Sequence, residues 1–249
     1  MTTTVFKKTR GLTDVPFTYC PGCTHGIIHR LVAEVLEELE LLDTAVGIAS
    51  VGCSVMSYEF FNCDMIQAAH GRAPAVATGV KRTHPDKTVF TYQGDGDMAS
   101  IGAAEIVHAA HRSENITVIF VNNAIYGMTG GQMAPTTLPG HVTTTSPFGR
   151  DTTLQGEPIR MSEMLSTIPG SYYIERVTVI DPISVRKAKT AIKKAFQAQK
   201  DNKGFSMIEV LSTCNVGWGV TPLDALKQIK NDMIPYYPLG VYKDKGANQ

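Results

Sequence analysis

The sequence has no net charge, no long apolar run and few cysteines. Its 23 basic and 23 acidic side chains cancel at pH 7, so the overall charge favours neither a nucleic-acid backbone nor an acidic membrane surface. No stretch approaches the roughly 20 apolar residues that span a bilayer, and no signal-peptide core follows the basic N-terminal residues. Five cysteines in 249 residues are too few for a disulfide scaffold. We therefore expect a cytoplasmic protein with no membrane and no nucleic-acid partner.

The sequence also lacks internal repeats, low-complexity stretches and a linker rich in glycine, proline and serine. With 43% hydrophobic and 18% charged residues, it has the composition of an ordinary globular protein. We predict one continuous domain over residues 1–215. The tail, residues 216–249, contains three prolines among aromatic residues. We predict that it is an extended arm that packs on a partner subunit.

Apolar strands and amphipathic helices alternate along the predicted domain. Residues 25–42 place apolar side chains on one helical face and glutamates on the other. The strand-like runs are nearly all apolar, as expected for strands buried on both faces of a parallel sheet. The predicted strands are 45–51, 88–93, 116–122, 171–180 and 205–211, and the further predicted helices are 98–111, 161–166 and 183–199. The alternation predicts an α/β fold with a doubly wound, mostly parallel sheet, and a long loop occupies most of 129–168.

Two neighbouring predicted strands end in polar turns. Gly94-Asp95-Gly96-Asp97 follows the first strand, and Asn122-Asn123 follows the second. Glycines let backbone amides approach a phosphate, and carboxylate, amide and carbonyl oxygens are the ligands that Mg²⁺ prefers. Because the carboxyl ends of parallel strands face one crevice, the pattern indicates a site for a diphosphate with Mg²⁺. The alternative is two unrelated turns, since these residues are common in loops.

The cysteines form a second group of chemically active residues. Cys20, Cys23, Cys53 and Cys214 supply four thiolates, the number that a [4Fe-4S] cluster requires. Four thiolates also suit a structural Zn²⁺ ion, so the residues alone leave both metals open. Cys63 lies among apolar and aromatic neighbours in the sequence, and we predict that it is a buried free thiol.

Five motifs occur along the chain in a fixed order: TYCPGCTHG, SVGCS, HGRAPAVATGVKR, GDGD and NNAIYGMTGGQMAPTT. Together they resemble the thiamine diphosphate signature and its surroundings in the β subunit of the 2-oxoacid:ferredoxin oxidoreductases. The resemblance is closest to the branched-chain (2-oxoisovalerate) and 2-oxoglutarate members, and it covers most of the chain to Cys214. It favours a [4Fe-4S] cluster over zinc, and it implies thiamine diphosphate and Mg²⁺ as further cofactors.

The resemblance also implies roles for individual residues. The Asp95 and Asn123 side chains and the Ile125 carbonyl would hold Mg²⁺, and the Cys53 loop would touch both the thiamine and the cluster. Arg72 has two open roles, a contact with a carboxylate or diphosphate and an ion pair at an interface. The implied cofactor-binding residues are His25, Gly52, Cys53, Ser54, His70, Gly94, Asp95, Gly96, Asp97, Asn123, Ile125, Tyr126, Gly127 and Met128, and the implied cluster ligands are Cys20, Cys23, Cys53 and Cys214.

The activity that the resemblance implies is oxidative decarboxylation of a 2-oxoacid to an acyl-coenzyme A and CO₂, with electrons passing through the cluster to ferredoxin in anaerobic metabolism. No glutamate of this chain is assigned to activate the cofactor, because the family takes that residue from an α subunit; γ and ferredoxin-like δ subunits accompany some members. A 2-oxoglutarate site needs a cation, for which Lys81 and Arg82 are candidates. Two other hypotheses are an electron-transfer subunit without thiamine and a zinc-stabilised assembly module.

Overall fold

One seven-stranded sheet organises the protein in the computed structural model, which describes residues 7–247. The strand order is β2-β1-β3-β4-β6-β5-β7, and all neighbouring strands are parallel except β7, which runs antiparallel to β5. The strands are β1 Ala45–Ala49, β2 Asp64–Gln67, β3 Thr88–Gly94, β4 Thr117–Asn122, β5 Ser171–Thr178, β6 Phe205–Leu211 and β7 Gly240–Asp244. The predicted doubly wound, mostly parallel α/β sheet is confirmed.

Helices cover both faces of this sheet. They are α1 His25–Glu38, α2 Ser57–Phe60, α3 Ala73–Thr83, α4 Ala103–His111, α5 Thr152–Gln155, α6 Met161–Ser166, α7 Pro182–Lys200, α8 Pro222–Gln228 and α9 Ile234–Tyr236. Alternate residues of each strand point to opposite faces. One buried layer therefore joins the sheet to α1 and α7, and the other joins it to α3, α4 and α6. No helix within residues 7–247 is long and apolar enough to cross a membrane.

Local signals explain where the main helices begin and end. The Asp181 carboxylate accepts hydrogen bonds from the backbone amides of Ile183 and Ser184, and Pro182 opens α7, which is a favourable helix start. Helix α1 ends at Glu38, four residues earlier than predicted, because Glu40 has a φ of 59° and a left-handed residue cannot continue the helix. The bounds predicted for α6 and β6 match those observed.

Within the sheet and its flanking helices, strand β2 and helix α3 were not predicted, and one predicted helix is divided. Strand β2 has mostly exposed side chains, so no buried apolar run marks it, and α3 is built largely from small residues. The helix predicted over 98–111 is divided into a wide turn, Asp97–Ile101, and helix α4. The division falls at Gly102, where a Cβ would lie 2.8 Å from the Gly71 carbonyl oxygen.

The C-terminal segment is not the extended arm that the prolines suggested. It forms α8, a wide helical turn over Ile229–Met233, α9 and strand β7. Ala225, Ile229, Met233 and Tyr237 recur at a spacing of four residues and are all buried, the last three in one cluster; this is a helical stripe that was not predicted. The segment therefore packs on its own chain. Its contact with a partner subunit and the division at residue 215 stay predictions, and residues 1–6 and 248–249 lie outside the described range.

The burial of Tyr237 gives a test of this assignment. We expect Tyr237→Ala to lower the free energy of unfolding by about 4 kcal/mol, because a fully buried ring is removed from a packed cluster. Tyr237→Phe should cost about 1 kcal/mol, since it keeps the ring and loses the hydroxyl, which donates to the Thr136 carbonyl at 2.7 Å and reaches the Ile159 carbonyl at 3.5 Å. Urea unfolding measures both. Leu239→Ala, at a 42% exposed position, is the control, and a Tyr237→Ala cost as small as that of the control would contradict the assignment.

Candidate functional site

A cleft opens at the carboxyl ends of β1, β3 and β4. Its cavity volume is about 130 Å³, and the cleft is open to solvent on one side. All the residues predicted to bind the cofactor line it: His25, Gly52, Cys53, Ser54, His70, Gly94, Asp95, Gly96, Asp97, Asn123, Ile125, Tyr126, Gly127 and Met128. Val51 and Thr129 also line the cleft and were not predicted. The structure thus brings the predicted set together, and the binding of a cofactor by this set stays a prediction.

Three oxygen-bearing groups converge where the turns after β3 and β4 meet. One atom of the Asn123 amide head lies 2.8 Å from the Ile125 carbonyl oxygen and 3.3 Å from Asp95 Oδ1. With its nitrogen in that position, the amide donates to both oxygens. With its oxygen there, three acceptors face one another, an arrangement that a cation stabilises. A carboxylate, an amide oxygen and a carbonyl are hard ligands, so the donor set fits Mg²⁺.

Asp95 is fully buried, and its surroundings leave its charge only partly compensated. Burial raises the pKa of its carboxyl to about 6, although hydrogen bonds from Thr136 and from the Gly96 amide act to lower it. Thr136 Oγ1 donates to Oδ2 at 2.6 Å, and the Gly96 amide donates to Oδ1 at 2.8 Å. A nearby cation would favour the charged form. Thr136 was missed because nothing in its Thr-rich sequence distinguishes it from its neighbours.

Asp97 is one of the predicted cofactor-binding residues, and its contact with a cofactor stays a prediction. Its buried carboxylate accepts hydrogen bonds from Ser50 Oγ at 2.7 Å, the Gly71 amide at 2.6 Å and Gln93 Nε2 at 2.6 Å. It also contacts His70 Nδ1. The carboxylate is therefore fully engaged within the protein. Because His70 lines the cleft and uses Nδ1 for Asp97, its Nε2 is the nitrogen left to meet a ligand.

Glycines bring the backbone close to the cleft at two positions. A Cβ at Gly96 would lie less than 3 Å from the Tyr126 ring, and a Cβ at Gly127 would lie 2.9 Å from Cys214 Sγ and 3.9 Å from Cys53 Sγ. Any larger residue would fill the space between these groups. The turn after β4 therefore passes directly between the cleft and the thiols.

The four predicted cluster cysteines lie near one another beside the cleft. Burial raises the pKa of the Cys23 thiol to about 11 and that of the Cys214 thiol to about 12, and in each case the charge of Cys53 raises it further. Burial followed by the charge of Cys20 raises the pKa of Cys53. Such thiols favour the neutral form unless a metal stabilises the thiolates.

Within residues 7–247, no group of three or more His, Cys, Asp or Glu side chains is arranged to hold a metal ion. The Mg²⁺ candidate relies instead on an amide and a carbonyl oxygen beside one carboxylate. A single Zn²⁺ binds four sulfurs at about 2.3 Å from one point. A [4Fe-4S] cluster holds each thiolate on a different iron.

Predicted His25 forms a stack beside the thiols with three side chains that were not predicted. Tyr19, His25, His29 and Tyr92 stack in turn, with ring centroids 4.7 Å apart for Tyr19–His25 and 4.4 Å apart for His29–Tyr92. The Tyr19 hydroxyl donates to the Cys53 carbonyl at 3.2 Å and lies 2.7 Å from His29 Nε2. The sequence analysis left His29 out of the site, because a lone histidine on an apolar helix face carries no distinguishing signal.

Four other candidate residues lie away from the cleft. Arg72 pairs with Glu105 at 2.5 Å and donates to the Ile101 carbonyl at 3.0 Å, an ion pair within the chain. Lys81 donates to two backbone carbonyls and Arg82 pairs with Glu114, so neither side chain is placed to meet a ligand in the cleft. Cys63 is half-buried beside Met65, and burial raises the pKa of its thiol to about 12.

The family model for the C-terminal TPP-binding domain of thiamine pyrophosphate enzymes matches residues 50–210, about two thirds of the chain. The matched span includes the turns after β3 and β4 that line the cleft. The fold and the cleft are those of a thiamine diphosphate-binding domain.

Two relatives define more precisely the family to which the chain belongs. The ketoisovalerate oxidoreductase subunit VorA of Methanothermobacter thermautotrophicus is 46% identical over 243 residues, which are 98% of this chain and 51% of VorA. The 2-oxoglutarate synthase subunit KorB of Methanocaldococcus jannaschii is 36% identical over 228 residues, which are 88% of this chain and 79% of KorB. The chain therefore belongs to the family of thiamine pyrophosphate-binding subunits of 2-oxoacid oxidoreductases. It spans about half the length of the VorA relatives.

A solved structure agrees with this assignment. The 2-oxoglutarate:ferredoxin oxidoreductase from Magnetococcus marinus, with 2-oxoglutarate, coenzyme A and succinyl-CoA bound, superposes with a TM-score of 0.81. The two chains are 26% identical, and the match covers 98% of this chain and 86% of the other.

The burial of His29 predicts an acid-dependent loss of stability. Burial, followed by the charge of His25, lowers the pKa of His29 well below its usual value, whereas in the unfolded chain it is about 6.5. Unfolding therefore takes up a proton below about pH 6.5, and stability falls as the pH falls. We expect the slope of unfolding free energy against pH between about pH 6.5 and 5 to be shallower in His29→Phe by about 1.4 kcal/mol per pH unit.

Urea unfolding at several pH values measures the slope. His111→Gln, at an exposed position, should keep the wild-type slope. An unchanged slope in His29→Phe would show that His29 is not a neutral buried residue.

Proposed function

We propose that the chain is the thiamine diphosphate-binding subunit of a cytoplasmic, coenzyme A-dependent 2-oxoacid:ferredoxin oxidoreductase, which converts a 2-oxoacid to an acyl-coenzyme A and CO₂. The observation that carries the proposal is the convergence of the Asp95, Asn123 and Ile125 oxygens in a cleft that four cysteines adjoin. One site for a diphosphate with its cation and one site for an electron acceptor are thereby neighbours.

The residues of the cleft divide the work of holding the cofactor. Asp95, Asn123 and the Ile125 carbonyl would hold Mg²⁺, and the glycines at 94, 96 and 127 leave room for the diphosphate beside it. A Cβ at Gly94 would meet nothing within 4 Å, so the backbone is open to a ligand there. Thiamine diphosphate, when bound, supplies the electron sink that decarboxylation of a 2-oxoacid needs.

The cysteines would hold a [4Fe-4S] cluster that accepts the electrons and passes them to ferredoxin. Cys53 lines the cleft and is coupled electrostatically to Cys20, Cys23 and Cys214. The loop that carries Cys53 would therefore contact both cofactors. Cys20 is exposed, which gives the cluster a route to a partner protein.

The remaining parts of the enzyme would come from partner subunits. No glutamate is among the residues that line the cleft in the described part of the chain, whereas thiamine enzymes of the resembled family use one to activate the cofactor. We propose that an α subunit supplies it, and that γ or ferredoxin-like δ subunits complete the assembly in which coenzyme A and the 2-oxoacid bind.

The substrate proposed first is 2-oxoisovalerate, and the second candidate is 2-oxoglutarate. No lysine or arginine lines the cleft within residues 7–247, and a distal carboxylate needs such a cation. VorA, at 46% identity, is named for ketoisovalerate. An apolar acyl group therefore suits this chain better.

Steady-state kinetics discriminate between the two substrates. We expect kcat/KM to be at least tenfold higher for 2-oxoisovalerate than for 2-oxoglutarate, because a cleft without a cation leaves the second carboxylate unpaired. The assay follows reduction of ferredoxin by the complex with coenzyme A present. Pyruvate serves as the small control substrate. A preference for 2-oxoglutarate would instead assign a cation from the α subunit.

Cofactor analysis tests the proposal as a whole. We expect the complex, purified without oxygen, to contain thiamine diphosphate and roughly four irons per copy of this chain. Its absorbance near 400 nm should fall when 2-oxoacid and coenzyme A are added. Cys53→Ser should lose most of this iron, and the matched control Cys63→Ser should keep it, because Cys63 lies away from the cleft.

Each other outcome has a definite meaning. Iron without thiamine diphosphate would indicate an electron-transfer subunit. A colourless zinc protein without thiamine diphosphate would indicate an assembly module. Iron that separates with another subunit, and that Cys53→Ser leaves unchanged, would place the cluster outside this chain.

A further inference from the structure

A buried ion pair lies beneath the sheet edge that carries the cleft. Arg176 on β5 and Glu209 on β6 are both fully buried, and Arg176 Nε lies 2.9 Å from Glu209 Oε2. On its other side, Arg176 pairs with Glu163 at 2.5 Å. Buried ion pairs contribute little net stability, because removing two charges from water is costly. The low net stability of such a pair therefore indicates a role other than stabilising the fold.

Glu209 connects this ion pair to the turn after β4. Its Oε1 accepts a hydrogen bond from Asn122 Nδ2 at 2.8 Å, and its Oε2 accepts one from Ser162 Oγ at 2.5 Å. Asn122 is fully buried and directly precedes Asn123. Its Oδ1 accepts a hydrogen bond from the Ala124 amide at 3.1 Å. The Asn122 amide is thus oriented from one end by Glu209 and holds the turn at the other.

The turn needs such support because its backbone is strained. Ala124 has a φ of 57°, a left-handed conformation that costs a residue with a Cβ about 1 kcal/mol or more. The Ala124 carbonyl is held by Thr137 Oγ1 at 2.6 Å, and its amide is held by Asn122. These two contacts hold the residue that lies between Asn123 and Ile125.

We propose that Glu209 is a positioning residue, which fixes the Asn122–Ile125 turn so that the Asn123 amide oxygen and the Ile125 carbonyl face the cation. The proposal rests on the proposed function, since it concerns the Mg²⁺ of the same site. The Arg176 guanidinium orients the Glu209 carboxylate, with Nε 2.9 Å from Oε2. A charged acceptor gives Asn122 a stronger and shorter hydrogen bond than a neutral one would.

The same network ties the C-terminal segment to the cleft. Arg176 Nη1 donates to the Pro238 carbonyl at 3.2 Å and to the Tyr242 hydroxyl at 2.5 Å. A continuous chain of contacts therefore runs from β7 through Arg176, Glu209 and Asn122 to the cation ligands. Any rearrangement of β7 would reach the cleft by this route.

The test compares two substitutions, each of which removes the negative charge of one glutamate that pairs with Arg176. In Glu209→Gln, either orientation of the new amide points an NH₂ group at a donor, at Asn122 or at Arg176, so the turn loses its support. In the matched control Glu163→Gln, the charge is removed on the far side of Arg176, where the Glu163 carboxylate pairs with Nη1 and Nη2 and not with Nε, which faces Glu209. Asn122→Asp is a second variant, because it places a carboxylate against Glu209.

The measurement is Mn²⁺ binding by EPR, with Mn²⁺ in place of Mg²⁺ and thiamine diphosphate present, on the complex purified with its partners. Thermal unfolding is recorded on the same samples. We expect Mn²⁺ to bind about tenfold more weakly to Glu209→Gln, and more weakly still to Asn122→Asp. Glu163→Gln should bind Mn²⁺ within about twofold of wild type, even where its thermal midpoint falls as far.

Failure of the inference and failure of the proposed function give different results. Wild-type Mn²⁺ affinity in Glu209→Gln, or an equal loss in Glu163→Gln at the same fall in thermal midpoint, would reduce Glu209 to a structural residue and leave the proposed function intact. Failure of the wild-type complex to bind Mn²⁺ with thiamine diphosphate would overturn the proposed function itself.

Discussion

The parallel pairing of β3 with β4 is the constraint on which the site depends. Their register places Gly94 opposite Val121, so the two polar turns begin side by side at one edge of the sheet. Backbone hydrogen bonds set this register, and it brings Asp95 within reach of Asn123 although 27 residues separate them in the chain. A shift of one residue along either strand would separate the carboxylate from the amide and the carbonyl, and the proposed cation site would be lost.

Sequence patterns predicted the parts of this structure whose causes are local. Buried strands are recognisable in the sequence as apolar runs, and the Gly-Asp-Gly and Asn-Asn turns at their ends predict the position of the cleft. The hydrogen-bond hub at Asp97 could not be predicted, because its donors Ser50, Gly71 and Gln93 meet it only after three segments have packed. The C-terminal segment was mistaken for an arm because its prolines were given more weight than the buried stripe of residues spaced four apart.

The cleft and the Cys214 thiol are separated by a single residue. Gly127 lies between Cys214 Sγ and the cleft lining, and Cys53 belongs to both groups. The short separation suits transfer of electrons between the two proposed cofactors. A glycine is needed at position 127 because a side chain would not fit there, and not because the backbone must be flexible. The aromatic stack that includes Tyr19, His29 and Tyr92 lies beside the same cysteines, with the Tyr19 hydroxyl on the Cys53 carbonyl.

The support of the cleft by the C-terminal segment has a consequence for biosynthesis. Thr136 donates to Asp95, and its own carbonyl accepts from Tyr237; Arg176 holds Glu209 beneath Asn122. During translation, the turns with the cation ligands leave the ribosome well before these supports are made. The nascent chain therefore passes through a stage in which the ligands are present without the contacts that aim them. A cofactor that needs these ligands would therefore bind only after the whole sheet has folded.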